Sequence, residues 1–305
     1  MRLIIFLSCF MLFSSGIKAD IPPLAVQSVA DGVYVHPGIN QLPDTRNRGE
    51  IANIGFVVGE RCVAVIDSGG SPEQGQALKA TIVATTSVPI CYVINTHVHP
   101  DHVYGNIAFK TEGVRFVGHH KLAWAMAVRA PYYQQKALSD LGVTLEASHF
   151  IPPDISVTDT LNLDLGGRSL QLIAHPTAHT DNDLTVFDDK THTLWLADLL
   201  FMGHIPVVDG SLNGWLNVLE RLAGIKAERA VPGHGPVTAN WPEALNAERG
   251  YLLQLRQEIR AALAAGKTME QTLSETRAEH YDHWNLFEAF HLRNVSTAFA
   301  ELEWE

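Results

Sequence analysis

The segment at 95–102 constrains the fold of this chain more than any other stretch. It has the sequence Asn-Thr-His-Val-His-Pro-Asp-His and follows an apolar run at 89–94 that predicts a buried strand. Neutral imidazole nitrogen and carboxylate oxygen are ligands that Zn²⁺ accepts. The segment therefore predicts a metal site at the end of a strand, rather than a polar surface loop that contains histidines by chance.

The spacing within this segment indicates how its side chains could share two ions. Alternate positions of an extended chain point the same way, so His97 and His99 can reach one ion. Pro100 favours a turn, which directs Asp101 and His102 towards a second ion.

A strand–helix–strand unit precedes the histidine segment. Predicted strands at 54–58 and 62–66 are joined by Gly59-Glu60, and the second strand ends at Asp67. Ser71 is a typical N-cap, and Pro72 suits the first position of a helix that runs to about residue 85. This unit predicts that the strands before Asp67 and before His97 are parallel.

Three more candidate ligands follow predicted strands further along the chain. His179, Asp198 and His234 come after strands predicted to end at 174, 197 and 231. Taken alone, each would more often be a loop residue or a core histidine with its hydrogen bonds satisfied. Functional loops gather at the carboxyl ends of strands in open α/β sheets, so their shared placement favours a common site.

In this order the candidate residues resemble the five-motif signature of the metallo-β-lactamase superfamily, over residues from about 30 to 240. The resemblance implies an α/β (α+β) fold, an αββα sandwich with two zinc ions bound between its sheets. It implies that Asp67 braces the His97 loop through hydrogen bonds and binds no metal. The implied ligands are His97, His99 and His179 for the first ion, Asp101, His102 and His234 for the second, and Asp198 as the bridge.

The chemistry that this ligand set implies is hydrolysis. Two divalent ions about 3.5 Å apart lower the pKa of a shared water, giving a metal-bridging hydroxide near neutral pH. Asp101 and Asp198 are then the expected catalytic carboxylates, and no serine or cysteine nucleophile is needed. His204 follows the Asp198 loop and is a candidate for substrate contact, because loops near a site carry specificity.

Two acidic residues beside His179 allow two interpretations. Asp181 and Asp183 could make the mouth of the cleft unfavourable to anionic substrates. Equally, Asp181 could cap a turn and Asp183 could brace a ligand.

The subfamily is indicated by details of these motifs. Asp198 resembles the ligand of glyoxalase II-like thioesterases, but Ala-His-Thr-Asp-Asn-Asp at 178–183 departs from their usual Gly-His-Thr-Pro-Gly. That variant and the segment 95–106 are most similar to the SoxH-related, quinoprotein relay system zinc metallohydrolases. We therefore expect an exported di-zinc hydrolase of an ester, thioester, lactone or related bond, functionally linked to a periplasmic quinoprotein dehydrogenase. The rival hypotheses are a β-lactamase, a non-catalytic metal or cofactor carrier, and an iron oxidoreductase that uses the same ligands.

The N-terminus predicts export to the periplasm or the medium. Arg2 precedes an apolar run at 3–13, which is too short to span a bilayer, and a cleavage point follows Ala19. A retained N-terminal anchor is the alternative. Removing residues 1–19 takes away Arg2 and Lys18, so the net charge of −11 becomes −13. Such a surface repels nucleic acid and anionic membranes, and we expect a small-molecule substrate.

The remaining chain predicts one domain at 20–240 with a helical extension at 241–305 packed on it. Cys62 and Cys91 fall at matching positions of two neighbouring strands. An oxidising compartment would permit a disulfide there, although two separate buried thiols fit the pattern as well.

Overall fold

Two β-sheets pack face to face, and helices cover the outer face of each, in a computed structural model that describes residues 21–276 and 280–305. This arrangement confirms the αββα sandwich that the motifs imply. The predicted signal at 1–19 lies outside the described residues.

The first sheet has seven strands in chain order, and its last four, from β4 to β7, pair in parallel. The second has five strands in the order β12-β11-β10-β9-β8. The strands are β1 (Gln27–Ala30), β2 (Val33–His36), β3 (Ile54–Val58), β4 (Val63–Ile66), β5 (Ile90–Asn95), β6 (Arg115–His119), β7 (Ile155–Val157), β8 (Thr160–Asp164), β9 (Ser169–Ala174), β10 (Leu184–Asp188), β11 (Thr193–Phe201) and β12 (Arg229–His234).

The first helix begins and ends at the positions that the sequence predicts. Ser71 accepts a hydrogen bond from the Gln74 amide at 3.2 Å, which is the predicted cap of the first helix. The helices are α1 (Pro72–Thr85), α2 (Pro100–Val103, a single turn), α3 (Leu122–Lys136), α4 (Leu212–Leu222), α5 (Leu245–Ala264), α6 (Met269–Glu275) and α7 (Phe287–Leu302).

Strand β4 shows how side-chain alternation builds the layers. Val63 and Val65 pack against α1, whereas Ala64 and Ile66 point into the space between the two sheets. All four side chains are buried, because one face of the strand is covered by a helix and the other by a sheet. The strand ends that carry the predicted site are therefore fixed by two hydrophobic layers, one between the two sheets and one between the first sheet and α1.

The C-terminal helices pack on the outer face of the second sheet. Leu194 and Leu196 of β11 share a hydrophobic cluster with Tyr251 of α5 and Phe299 of α7. No helix in the described ranges is both long enough and apolar enough to cross a bilayer.

Two strands run further than the sequence predicts. We expected β11 to end at 197 and β12 at 231, but they continue to Phe201 and His234. Ala197 has a φ of 46° and interrupts the pairing register, after which the strand resumes. A bulge of this kind has no sequence signature at an alanine, so the sequence pattern predicts the end of β11 where its apolar run ends.

Cys62 and Cys91 form a disulfide with their Cα atoms 5.5 Å apart. The bond joins the segment just before β4 to β5, two strands that also pair by hydrogen bonds. Of the two interpretations that the sequence allows, the structure shows the disulfide.

Candidate metal centre

All seven predicted ligands meet at one end of the sandwich. They form two adjacent groups, and within each group one nitrogen or oxygen atom per side chain lies within 4.8 Å of the others. The groups are His97, His99, His179 and Asp198, and Asp101, His102 and His234. This division matches the assignment that the resemblance implies, and metal binding itself stays a prediction.

Both sheets contribute to the cluster. The first sheet supplies the segment 97–102 after β5, and the second supplies His179 after β9, Asp198 within β11 and His234 at the end of β12. Gly233 permits the close approach of the last two, since a Cβ atom there would lie 2.0 Å from Asp198 Oδ1.

The distances around Asp198 fit a shared carboxylate. Its Oδ2 atom lies 3.6 Å from His97 Nε2, 3.4 Å from His179 Nε2 and 3.4 Å from His234 Nε2. Its Oδ1 atom lies 3.1 Å from His102 Nε2. Ligand atoms of a tetrahedral zinc site are about 3.3 Å apart, given zinc–nitrogen bonds of about 2.0 Å. The spacing therefore suits two cations with Asp198 between them.

Each of the five histidines directs one ring nitrogen into the cluster, and its other ring nitrogen forms a hydrogen bond outside the cluster that orients the ring. Such hydrogen bonds fix the tautomer and ring plane of a metal ligand. The partners are Thr96 Oγ1 for His97 Nδ1 (3.1 Å), Asp209 Oδ2 for His99 Nε2 (3.1 Å), Asp67 Oδ2 for His102 Nδ1 (2.7 Å), the Val207 carbonyl for His179 Nδ1 (2.7 Å) and the Ile51 carbonyl for His234 Nδ1 (3.0 Å).

The nitrogen and oxygen atoms that point into the cluster are arranged as ligands of a cation. His99 Nδ1 and His179 Nε2 face each other at 3.0 Å, although each ring already donates its hydrogen to Asp209 or Val207. Two lone pairs therefore point at each other, which a bound cation would relieve. Among the described residues, His97 Nε2, His102 Nε2 and Asp198 Oδ1 are also buried without a hydrogen-bond partner.

Without metal, the charges of the cluster are balanced by protons. Burial opposes the charged form of His234, but Asp198 and Asp101 outweigh it and raise the pKa of His234 to about 9. Burial lowers the pKa of His179 to about 3. Burial would raise the pKa of Asp198, but the imidazoles, His102 first, hold it well below its ordinary value. A divalent cation would replace these protons, so its affinity must depend on pH.

Asp67 and an asparagine pair hold the histidine segment in place. Asp67 Oδ1 accepts from the Thr96 amide at 2.8 Å, and its Oδ2 accepts from the Thr96 hydroxyl at 2.7 Å. The side-chain amides of Asn95 and Asn106 bond each other reciprocally at 2.8 and 3.0 Å. The segment is therefore fixed at both ends by buried polar groups.

The structure also places the other residues that the sequence singled out. His204 is buried and lines the cleft, where its Nδ1 lies 2.6 Å from the Ile205 carbonyl. Burial lowers the pKa of His204 to about 4, so it is neutral at pH 7. Asp183 is buried and accepts from the Thr180 amide at 2.9 Å, which braces the loop of His179. Neither Asp181 nor Asp183 lines the cleft.

Sequence reasoning missed Asp209, Arg129 and Arg293. Arg129 and Arg293 converge on Asp209, which in turn faces His99, and all three residues line the cleft, whose volume is about 520 Å³. His99 and Asp209 are 110 residues apart, and no motif spacing connects them.

The sequence profile of the metallo-beta-lactamase superfamily matches residues 47–234. The chain is 26% identical over 206 residues to a beta-lactamase-like protein 2 homolog of Caenorhabditis elegans, covering 67% of this chain and 63% of the relative. It is 25% identical over 207 residues to a linear primary-alkylsulfatase of Pseudomonas sp. (strain ATCC 19151), covering 56% of this chain and 39% of the relative. The chain thus spans less than two thirds of the length of either curated relative.

Solved structures with the same fold include a metallo-beta-lactamase from Pontibacter korlensis, with a TM-score of 0.60, 22% identity and coverage of 76% of this chain and 99% of the other. They also include TMB-1, with a TM-score of 0.58, 16% identity and coverage of 77% and 99%. The profile spans more than half of the chain and all seven candidate ligands. The chain belongs to the metallo-β-lactamase superfamily.

Proposed function

We propose that this protein is an exported di-zinc hydrolase that cleaves an ester, thioester, lactone or related bond. The observation that carries the proposal is the orientation of the five histidines. Each engages one ring nitrogen with a group outside the cluster and directs the other inward, towards Asp198 or a neighbouring imidazole. Superfamily membership supports hydrolysis as the class of reaction.

His97, His99 and His179 would hold one ion, Asp101, His102 and His234 the other, and Asp198 would contribute to both. Bound zinc supplies Lewis acidity, which lowers the pKa of a water and polarises the bond under attack. The chain's own part is positioning, because buried hydrogen bonds prevent the imidazoles from rotating away. Asp101 faces the cleft and can accept a proton during the reaction.

Sulfate esters are included among the candidate bonds because one relative is a linear primary-alkylsulfatase. The link to a periplasmic quinoprotein dehydrogenase is the finer part of the proposal. It depends on the resemblance of segments 95–106 and 178–183 to that subgroup. Export is supported by the layout of residues 1–19 and by the Cys62–Cys91 disulfide, which persists in oxidising compartments.

Metal analysis of protein purified without chelators tests the metal centre. We expect two zinc ions per chain in the wild type and at most one in Asp198→Asn, because the amide removes the shared carboxylate. The matched control is Asp189→Asn, which alters an exposed aspartate that takes no part in the cluster. Fewer than one transition metal per chain in the wild type would overturn the proposal.

A substrate panel separates the proposed activity from its rivals. It contains an aryl ester, a thioester, a lactone, an alkyl sulfate and the β-lactam nitrocefin. We expect turnover of at least one non-lactam, and Asp198→Asn to lower kcat/KM about 10³-fold, since metal catalysis contributes several kcal/mol. Preference for nitrocefin would indicate a β-lactamase, and bound metal with no turnover would indicate a carrier.

A further inference from the structure

The cleft wall facing the metal centre includes a helix beyond the segment that defines the family. The profile match ends at residue 234, yet Phe290 and Arg293 of α7 line the cleft. Helix α3 contributes Arg129 and Lys136 to the same cleft. The cleft is therefore lined in part by residues that lie outside the matched segment of the family.

Helix α7 is held firmly against the loop that orients the metal ligands. The buried Asn294 side chain accepts from the Val208 amide at 2.9 Å and donates to the Pro206 carbonyl at 2.6 Å. Residues 207 and 209 of the same loop orient His179 and His99. The position of Arg293 relative to the cluster is therefore set by buried hydrogen bonds.

Apart from the candidate metal ligands Asp101 and Asp198, the cleft is lined by three cationic side chains, Arg129, Lys136 and Arg293, and by two carboxylates, Asp140 and Asp209. Lys136 is matched by Asp140 at 2.7 Å. Arg129 and Arg293 share Asp209, at 3.6 and 2.9 Å, and Asp209 also faces His99 at 3.1 Å. Within the described ranges, no other carboxylate lies within ion-pair distance of either guanidinium group. A chain of net charge −11 thus presents an excess positive charge beside its candidate metal centre.

Both guanidinium groups remain accessible to a ligand. The side chain of Arg293 is 51% exposed and that of Arg129 is 27% exposed. Each has several N–H donors in a planar fork that suits a carboxylate or sulfate group. The wall beside them is apolar, with Leu42, Leu141 and Phe290 lining the same cavity.

We propose that Arg129 and Arg293 form an anion subsite, so that the enzyme prefers substrates with an apolar body and a terminal acid group. The inference rests on the proposed hydrolase function and names its substrate class. Because Asp209 connects both arginines to His99, the acid group would bind one side-chain length from the candidate metal centre.

The test compares 4-nitrophenyl esters with the same phenyl-bearing acyl chain and a terminal carboxylate, carboxamide or trimethylammonium group. We expect the wild-type protein to prefer the carboxylate in kcat/KM. The ratio of carboxylate to carboxamide should fall about 10- to 100-fold in Arg293→Ala, because hydrogen bonds to charged groups contribute that much. Arg129→Ala should lower it in the same direction, and Arg293→Lys should retain part of it.

The matched control is Arg61→Ala, which removes a surface arginine paired with Asp164 away from the cleft. We expect it to leave the ratio unchanged. The carboxylate of the ester could also bind at the metal centre, so only a change in the arginine variants assigns the preference to the subsite. If Arg293→Ala does not fold, Arg293→Lys and Arg129→Ala replace it in the comparison. A ratio near one in the wild type, or one unchanged in every arginine variant, would overturn the subsite and leave the hydrolase proposal standing.

If the wild type cleaves none of these esters, calorimetric titration with 4-phenylbutyrate and 4-phenylbutyramide tests the subsite without turnover. Tighter binding of the carboxylate that is lost in Arg293→Ala would support the subsite, even where the hydrolase proposal has failed. Equal binding of the two probes, or a carboxylate preference that persists in Arg293→Ala, would overturn it.

Discussion

Two buried polar clusters lie at opposite ends of the sandwich and differ in how their charges are matched. At one end, Arg168 lies 3.0 Å from Asp188 and donates to the Val58 carbonyl, and Asp188 also accepts from Thr191. At the other end, the ligand cluster directs five imidazoles at two carboxylates and at one another, with no arginine or lysine among the ligand groups. Buried atoms without a hydrogen-bond partner in the described chain occur in both clusters, Arg168 Nε and Asp188 Oδ1 in the first and His97 Nε2 and Asp198 Oδ1 in the second. The charged and polar side chains are buried in both clusters.

The comparison shows that burial of polar groups does not by itself identify a site. The Arg168 cluster connects the turn at Asp31, strand β3 and strand β10, and its charges are matched within the protein. In the ligand cluster, five imidazoles face two carboxylates, so the inward lone pairs are satisfied by bound protons or by a divalent cation that replaces them. We therefore assign the first cluster to stability and the second to function.

The largest expected effect comes from breaking the matched cluster. Asp188→Asn leaves the guanidinium of Arg168 buried without a carboxylate, which should reduce the free energy of unfolding by about 3–5 kcal/mol. Urea unfolding of metal-free protein measures this. Asp189→Asn, next to it but exposed, should change stability by less than about 0.5 kcal/mol. A loss below about 1 kcal/mol in Asp188→Asn would show that the pair is not structural.

A smaller effect, on metal affinity, is expected from changing Asp67, which orients the ligand cluster. Asp67→Asn keeps the shape of the side chain, but an amide nitrogen in place of Oδ2 accepts a hydrogen bond from neither Thr96 nor His102. Metal affinity should fall about 10- to 100-fold, as for other groups that orient metal ligands. Competition with a chromophoric chelator measures the affinity. Asp188→Asn serves as the control and should leave it unchanged, and equal losses in both variants would contradict the division of roles.

Much of the fold could be predicted from local signals. Ser71 and Pro72 mark the start of α1, and alternation with apolar runs locates β3, β4 and β5. The segment at 97–102 predicts a metal site because its combination of residue types is rare and follows a buried strand. The short strands β7 and β8 could not be placed from the sequence, because three and five residues carry too little periodicity.

The cleft beyond the ligands could not be predicted, for a physical reason. Asp209 and His99 are 110 residues apart, and Arg293 is 84 residues from Asp209. Their meeting depends on how α7 packs on the loop before α4, which no spacing within the sequence encodes. Of the two interpretations of Asp181 and Asp183, the structure supports the one in which they bond within their own loop, because neither side chain lines the cleft.

Glu248 tests whether a buried oxygen without a hydrogen-bond partner must be a metal ligand. It is fully buried in α5, its Oε1 accepts from the Phe201 amide at 2.9 Å, and its Oε2 has no hydrogen-bond partner among described residues. It belongs to neither group of candidate ligands. A lone buried oxygen can be satisfied by a proton instead of a metal, and burial raises the pKa of Glu248 well above its ordinary value of 4.5.

This proton makes stability depend on pH in a defined direction. The folded chain retains the proton at pH values where the unfolded chain has lost it, so stability falls as pH rises from about 4.5 towards the raised pKa. The slope is at most about 1.4 kcal/mol per pH unit. Glu248→Gln cannot ionise and still accepts from Phe201, so it should be more stable than the wild type at pH 8 and lose this slope. Urea unfolding at pH 5 and pH 8 measures both, with the exposed Glu243→Gln as the control. Parallel pH dependence in Glu248→Gln and the wild type would mean that Glu248 is ionised in the fold, and that an unmatched buried oxygen need not hold either a proton or a metal.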